Sequence, residues 1–505
     1  MRSKYVLKNA TWGVLYQLLV ILLGFISRTF FIRYLGAEYL GISGLFTNIL
    51  TLLSLTELGF ASAVAFHLYG HLARNEEDEI TGIMNYYKFI YRVVAAIVTC
   101  IGLILVPFLK YIIDETNFSL QYVTIIYILY LANTVSSYLF TYNNTLIIAD
   151  QKDYRLTQIN VIARFVLSIS NIIVLVLFKN YIVYLITEII LATFFQFIKA
   201  QKVKRLYPYI ERKIKISPSI KKNIWNDVKN IFAGKVSTVI VTSTDNILIS
   251  VMLNLTTVGL YSNYSMLIGY IQTFLSQFTS ATQASLGNMF ASENKDYSNG
   301  VLKKLTVIEY FATSFCTTSL VVLLNPFIKL WIGDDYLLPF NVVVICVINF
   351  YIQIMKTPLW FTINGLGYFK EDRNIAIYGA ISNLAVSIIA AYFWGLFGIF
   401  FGTAFSQLSQ WCLKLKLYNK KYLNSTSNEY FILSLKLISL TIGITFITFY
   451  VASLIKVQSL VFCLLLRGIL CAIIPNLLNF LLFRKTKEFE YILNTIKRLK
   501  NHLGQ

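Results

Sequence analysis

Charge is scarce in this sequence. Lys, Arg, Asp and Glu make up 13% of its 505 residues, where a soluble domain carries about a quarter. That shortage excludes an ordinary soluble enzyme. Histidine is nearly missing: His67, His71 and His502 are the three present, and the sequence offers them no plausible partners for a metal site. The six cysteines (Cys100, Cys316, Cys346, Cys412, Cys463, Cys471) all fall in apolar segments, with no spacing that suggests a metal site or a disulfide. There is no phosphate-binding Walker loop, which excludes nucleotide hydrolysis by that route. No catalytic constellation is visible either, so the sequence does not read as an enzyme.

Apolar sequence fills the space that charge leaves. The chain is 57% hydrophobic, with a mean hydropathy of +0.64. A bilayer core of ~30 Å needs about 20 apolar residues per helix, and this chain offers such runs many times over. It reads as an all-α integral membrane protein; a β-barrel would show short alternating segments instead. The net charge of +20 lies mostly in a few loops, as the positive-inside rule expects, and does not indicate nucleic-acid binding. The first residues, MRSKYVLKNATWGV, lack the short apolar core and cleavage site of a signal peptide and read as the start of an uncleaved helix.

About 14 transmembrane helices are expected, near residues 9–33, 40–70, 84–113, 120–148, 156–178, 181–200, 229–253, 257–288, 302–332, 338–366, 374–395, 397–417, 431–454 and 459–483. An echo runs through them. At a spacing of 218 residues Gly41 falls on Gly259, Ala73 on Ala291, Asp78 on Asp296 and Gly82 on Gly300. Pro107-Phe108-Leu109-Lys110 returns as Pro326-Phe327-Ile328-Lys329 at 219, and Lys152 to Arg155 returns as Lys370 to Arg373. The expected organisation is an N-lobe of six helices (1–200), a basic cytoplasmic linker (201–228) and a C-lobe of six (229–420). Helices 13 and 14 (421–483) and a basic, amphipathic cytoplasmic tail (484–505) follow. With six spans per half, both halves start on the same side, so the repeat is parallel. Transporters of that build hold substrate where the repeats meet. Basic loops place both termini in the cytoplasm, with Asp114/Glu115 and Asp334/Asp335 outside.

Charge inside the spans carries the functional signal, because each charge at a helix centre costs about 2.5–3.5 kcal/mol on insertion scales. Arg33, Lys88, Lys110, Lys329 and Lys436 sit close enough to helix ends to snorkel, and Arg92 and Arg467 fit the same reading. Arg28, Arg164 and Lys356 lie several residues in, Lys235 lies in the seventh span, and Glu57 and Asp245 are too short to escape. A structural ion pair remains open for those two acids. Lys356 stands beside Pro358, where a kink is expected. Rows of small polar residues accompany these charges: Thr47, Thr51 and Ser54 in the second span, and Gln272, Ser276, Thr279 and Gln283 in the eighth. Such rows either glue helices together or line a water-filled cavity.

The start of the chain, RTFFIRYLGAEYLG at residues 28–41, resembles bacterial polysaccharide repeat-unit flippases. These belong to the multidrug/oligosaccharidyl-lipid/polysaccharide exporter superfamily. The likeness extends to two six-helix lobes, a basic central loop and two extra C-terminal helices. Where the family usually has Tyr-Gly this chain has Leu40-Gly41. The resemblance implies an alternating-access flippase for undecaprenyl-pyrophosphate-linked oligosaccharides in the bacterial cell membrane, moving them from inner to outer leaflet. Candidate partners are the bilayer, a polysaccharide polymerase and glycosyltransferases. On this reading Arg28, Lys235, Lys356 and Arg164 contact pyrophosphate, since Arg offers bidentate donors to phosphate oxygens. Thr47, Ser54, Gln272, Ser276 and Gln283 contact sugar. Glu57 and Asp245 bind a coupling cation, H+ or Na+, or pair with the arginines. The lipid tail would leave through an opening beside the first and eighth spans.

Two other activities share the fold: a peptidoglycan-precursor lipid flippase and a cation-coupled multidrug antiporter. The excess of basic candidates speaks against the antiporter. A membrane polymerase would show a sizeable outer loop, and none is present. A pure scaffold would leave the polar rows unexplained.

Overall fold

The computed structural model describes the chain except residues 1, 55–58, 114–117, 293–294, 424–427, 456, 487–488 and 491–505. Side chains are described for the same residues apart from 2–4, 6, 7, 10, 230, 231, 233–238, 240–242, 277–292 and 296. Glu57, the Asp114/Glu115 turn and most of the tail therefore lie outside the described residues.

The described residues are helical throughout, with no strand. In chain order the helices are α1 (Arg2–Leu35), α2 (Ala37–Leu53), α3 (Phe60–Arg74), α4 (Glu77–Leu105), α5 (Leu109–Ile112), α6 (Leu120–Ala149), α7 (Tyr154–Phe178), α8 (Tyr181–Leu206), α9 (Pro218–Met252) and α10 (Leu255–Ser292). Then come α11 (Lys295–Ile332), α12 (Phe340–Met355), α13 (Thr357–Gly365), α14 (Phe369–Tyr418), α15 (Glu429–Ser453) and α16 (Leu460–Phe483). Helix occupies some part of every expected span, and ten stretches among the described residues are long and apolar enough to cross a membrane.

Backbone chemistry explains the ends. Asn180 caps α8 through its Oδ1, which accepts from the Ile182 and Val183 amides at 2.9 and 3.3 Å. Ser119 caps α6 in the same way. Pro107 converts the end of α4 into a 3-10 turn, whereas its sequence echo, Pro326, is accommodated inside α11. The expected kink is present: α12 stops at Met355 and α13 restarts at Thr357, beside Pro358, which has no amide hydrogen to continue the ladder. The single expected span at 40–70 is divided into α2 and α3, with Gly59 in the left-handed region at φ 98° where α3 begins. The spans at 374–395 and 397–417 run as α14 with a break at Gly395, whose φ of 54° and ψ of −132° suit only glycine.

The chain divides into two compact units, Met1–Gly259 and Leu260–Gln505. In the first, α1 packs along α7, α6 along both α4 and α8, and α9 along α2. The first unit thus contains α9, the start of α10 and residues 201–228. That stretch is held to the first unit: Thr81 Oγ1 donates to the Tyr209 carbonyl at 3.1 Å, Asn85 Nδ2 to the Arg212 carbonyl at 2.7 Å, and Trp225 Nε1 to the Tyr86 hydroxyl at 2.6 Å. Also within the first unit, a Cβ on Gly41 would collide with the Leu255 carbonyl, and one on Gly259 with the Ala37 carbonyl. The two glycines of the sequence echo thus let α2 and the start of α10 approach backbone to backbone. After α3, Arg74 and His71 both bond Glu76. The Arg74 guanidinium first, then the His71 ring, hold its carboxyl down at about 2. The contribution of this clip is complete above the ordinary carboxylate range and fades as pH falls toward about 2.

In the second unit α11 is the hub, packing against α12, α15 and α16, while α12 and α13 pack on α14. The two halves of α14 fold on each other through small residues. A Cβ on Gly402 would meet the backbone of Ser387, and one on Gly398 the backbone of Ala390. We expect Gly402→Ala to force these half-helices apart and destabilise the protein by about 1–3 kcal/mol, the usual range for overpacking. The thermal midpoint of the purified protein measures this. Tyr392→Ala, at a side chain 83% exposed on the same helix, should leave the midpoint unchanged.

Candidate functional site

Two interior charges expected from sequence meet one buried cluster in the first unit. Arg164 faces inward from α7, on the same side as Ser168 and Asn171, which are 4% and 7% exposed. Across from them on α8 stand Tyr181, Tyr184 and Glu188, placed on one face by helical spacing. Glu188 is hydrogen-bonded by Tyr184 and lies within electrostatic reach of Arg164. Tyr130 on α6 completes the group: its hydroxyl donates to Ser43 Oγ and shares a hydrogen bond with the Tyr181 hydroxyl, both at 2.8 Å. Arg28, half-buried on α1, acts electrostatically on the same Tyr130. Arg164 Nε and Asn171 Oδ1 are buried without a hydrogen-bond partner. The cluster therefore joins Arg28 and Arg164 around an acid, Glu188, which was missing from the sequence-derived candidates. Its signal was present: Glu188 is the only acidic residue in 181–206.

The second-span row splits. Thr47 is exposed, while Ser54 turns inward, accepting from the Tyr138 hydroxyl at 2.7 Å and donating to the Leu50 carbonyl at 2.8 Å. Ser54 lines a polar cavity of about 320 Å³ between α2, α6 and α8, whose other walls include Asn133, Ser137, Thr193 and Gln196. Asp245 is half-buried on α9. Ser250, five residues further along α9, donates to the Ile112 carbonyl at 3.0 Å and so serves helix packing. The side chains of Lys235 on α9 and Gln283 on α10, and the whole of Glu57, lie outside what is described. Gln272 is half-buried on α10, and Ser276 is exposed and bonds back to the Thr273 carbonyl at 2.9 Å.

In the second unit Lys356 stands at the break between α12 and α13. Its Nζ reaches Gln407 Oε1 on α14 at 3.4 Å. Beside it Lys414, 6% exposed, pairs with Asp372, which also accepts from Trp360 Nε1 at 3.3 Å. Asp372 thus forms its ion pair with Lys414, while the hydrogen bond of Lys356 goes to a neutral amide. Lys414 and Gln407 were not foreseen, because nothing in the sequence ties 356 to 407–414. No group of three potential metal ligands occurs among the described residues.

Removing Glu188 takes away the acid nearest in effect to Arg164 and the acceptor of the Tyr184 hydroxyl. We expect Glu188→Leu to destabilise the purified protein by about 1–3 kcal/mol, the usual cost of leaving a polar partner, here the Tyr184 hydroxyl, unsatisfied. Glu188→Leu combined with Arg164→Met should recover part of that loss in chemical denaturation. Equal losses in the single and double variants would show that the two residues are uncoupled.

Residues 6–283, more than half of the chain, match the family model described as polysaccharide biosynthesis protein. No curated protein matches the sequence. In three dimensions the chain is similar to the lipid II flippase MurJ in an inward closed conformation, with a TM-score of 0.68, 13% identity, and 93% of this chain and 99% of that one covered. It is similar to an inward-facing multidrug resistance MATE family transporter of the MOP superfamily (TM-score 0.64, 10% identity, 81% and 96% covered). A Vibrio cholerae MATE transporter, VcmN, gives 0.58 at 14% identity, with 84% and 99% covered. At such identities the likeness is one of fold, shared with a flippase and with transporters. The fold and its many apolar helices make this a multi-pass membrane protein, and by the family match over residues 6–283 the chain belongs to the polysaccharide biosynthesis protein family.

Proposed function

We propose that this protein is a flippase that moves an undecaprenyl-pyrophosphate-linked oligosaccharide repeat unit from the inner to the outer leaflet of a bacterial plasma membrane. The observation that carries this reading is the family match over residues 6–283. The fold supports it, being that of a lipid II flippase over 93% of the chain, and so does the charge inside the helices. Pyrophosphate leaving water needs fixed positive charge. Arg28 and Arg164 lie within apolar helices of the first unit, and Lys356 lies at the break between two apolar helices of the second. Lys356 suits the role best, because its hydrogen-bond acceptor among the described residues is the neutral Gln407 amide. Arg164 has a competing partner in Glu188 and suits it least.

In this reading the basic segments around 201–228 and the C-terminal tail face the cytoplasm. Asp245, together with Glu57 or Glu188, would take a coupling H+ or Na+. A second reading, export of a peptidoglycan precursor, is favoured by the likeness to MurJ. The two share a pyrophosphate head group and differ in the glycan.

The test is transbilayer movement of a pyrophosphate-linked oligosaccharide in liposomes holding the purified protein, run beside lipid II. We expect movement faster than in protein-free liposomes. Arg28→Ala and Lys356→Ala should each slow it about tenfold or more, in line with about 1.5–3 kcal/mol for a hydrogen bond to a charged group, with normal protein abundance. Movement of lipid II alone would select the second reading. Cation-coupled dye efflux with neither lipid moved would select a drug antiporter.

A further inference from the structure

The cavity in the first unit is placed where a membrane protein keeps little polar surface without a purpose. Thr134 and Thr193 stand at the midpoints of α6 and α8. At 1.5 Å per residue α6 is about 45 Å long, so the cavity lies about 20 Å from either end of the helix. Polar groups at that depth mark substrate or ion sites by default. The space, about 320 Å³, holds roughly ten waters at about 30 Å³ each.

Its chemistry is unusual in one respect. The hydroxyl hydrogens are already engaged within the protein. Ser137 donates to the Thr134 carbonyl at 2.7 Å, Thr134 to the Tyr130 carbonyl at 3.1 Å, and Thr193 to Ser136 Oγ at 3.2 Å. Tyr138 and Ser54 donate in turn to Ser54 and to the Leu50 carbonyl. Each such hydroxyl keeps acceptor lone pairs. Gln196 Oε1 is buried with no partner at all. Among the described residues the walls carry no charge. The cavity therefore offers acceptors from several directions, the two amides of Asn133 and Gln196 as donors, and no counter-charge.

That pattern excludes the pyrophosphate, which needs cations. It also disfavours a bare metal ion, because hard cations need oxygens converging at about 2.0–2.6 Å, and these oxygens line a space many times larger. What it fits is a compact neutral molecule rich in O–H donors. We propose that this cavity is a subsite for one neutral sugar ring, with the Gln196 carbonyl oxygen and the free lone pairs of Ser137 and Thr193 accepting from sugar hydroxyls. The inference rests on the flippase reading and adds to it a place where the glycan is sampled inside the first unit, apart from the cations.

The experiment uses the full chain in nanodiscs. Saturation-transfer NMR is run with glucose, galactose and N-acetylglucosamine as probes, and with sodium chloride as a competitor. At least one sugar should give transfer above that of empty nanodiscs. Gln196→Leu should weaken it about tenfold, the equivalent of about 1.4 kcal/mol, and Thr193→Val provides a second variant if Gln196→Leu fails to fold. Sodium should not displace the sugar. Absence of transfer for all three sugars, unchanged binding in both variants, or displacement by sodium would each overturn the subsite. The liposome assay separates this from the flippase reading. Oligosaccharide movement in the wild type without sugar binding removes the subsite and keeps the function. Sugar binding without movement of any lipid-linked glycan does the reverse.

Discussion

A lipid interior supplies no hydrogen-bond partners, and most of this protein follows from that. Every backbone amide and carbonyl must be satisfied within the chain, which leaves helices as the building unit for so apolar a sequence. The same constraint governs the joints. Asn180 satisfies the first amides of α8, and proline or glycine makes a break in the ladder inexpensive, as at Pro358 and Gly395. Apolar packing cannot drive helices together in lipid, so close contact comes from small residues. Gly402 against Ser387, and Gly41 against Leu255, are the places where backbones meet.

Charge obeys the same rule. In the first unit Arg164 is set against Glu188 and a tyrosine hydroxyl. In the second, Lys414 is set against Asp372, with Trp360 adding a hydrogen bond. These arrangements are self-contained and would hold helices in register without any substrate. Lys356 differs, since the direct ion pair of Asp372 is with Lys414 and the hydrogen bond of Lys356 goes to the neutral Gln407. A buried charge left with a neutral partner is held at an energetic disadvantage that an anionic ligand would relieve. This contrast, rather than the number of cations, ranks the candidates for pyrophosphate.

Polar side chains show a parallel division. Ser250 bonds the Ile112 carbonyl and is used up in packing. The hydroxyls of the first-unit cavity also bond inward, yet their lone pairs and the Gln196 carbonyl stay open toward a space of about 320 Å³. A head-group region that needs cations and a glycan region that needs neutral acceptors are different chemical environments, and a lipid-linked oligosaccharide carries both chemistries in one molecule.

The sequence by itself determined what depends on local composition. Runs of about 20 apolar residues specified membrane helices, Pro358 specified a break, and the rarity of charge made Arg28, Arg164 and Lys356 conspicuous. It also pointed to the paired glycines through their spacing of 218 residues. What it could not determine was partnership across long separations. Glu188 was readable as a lone acid, but its relation to Arg164 depends on how α7 and α8 rotate against each other. Lys356 with Gln407, and Asp372 with Lys414, meet only because α14 folds back at Gly395. Whether Thr47 or Ser54 faces a cavity depends on a helical rotation that several neighbours fix together, and only Ser54 does. Helix formation is decided residue by residue by what lipid forbids. The pairing of buried groups is decided by the packing of whole helices, and that exists only in the tertiary structure.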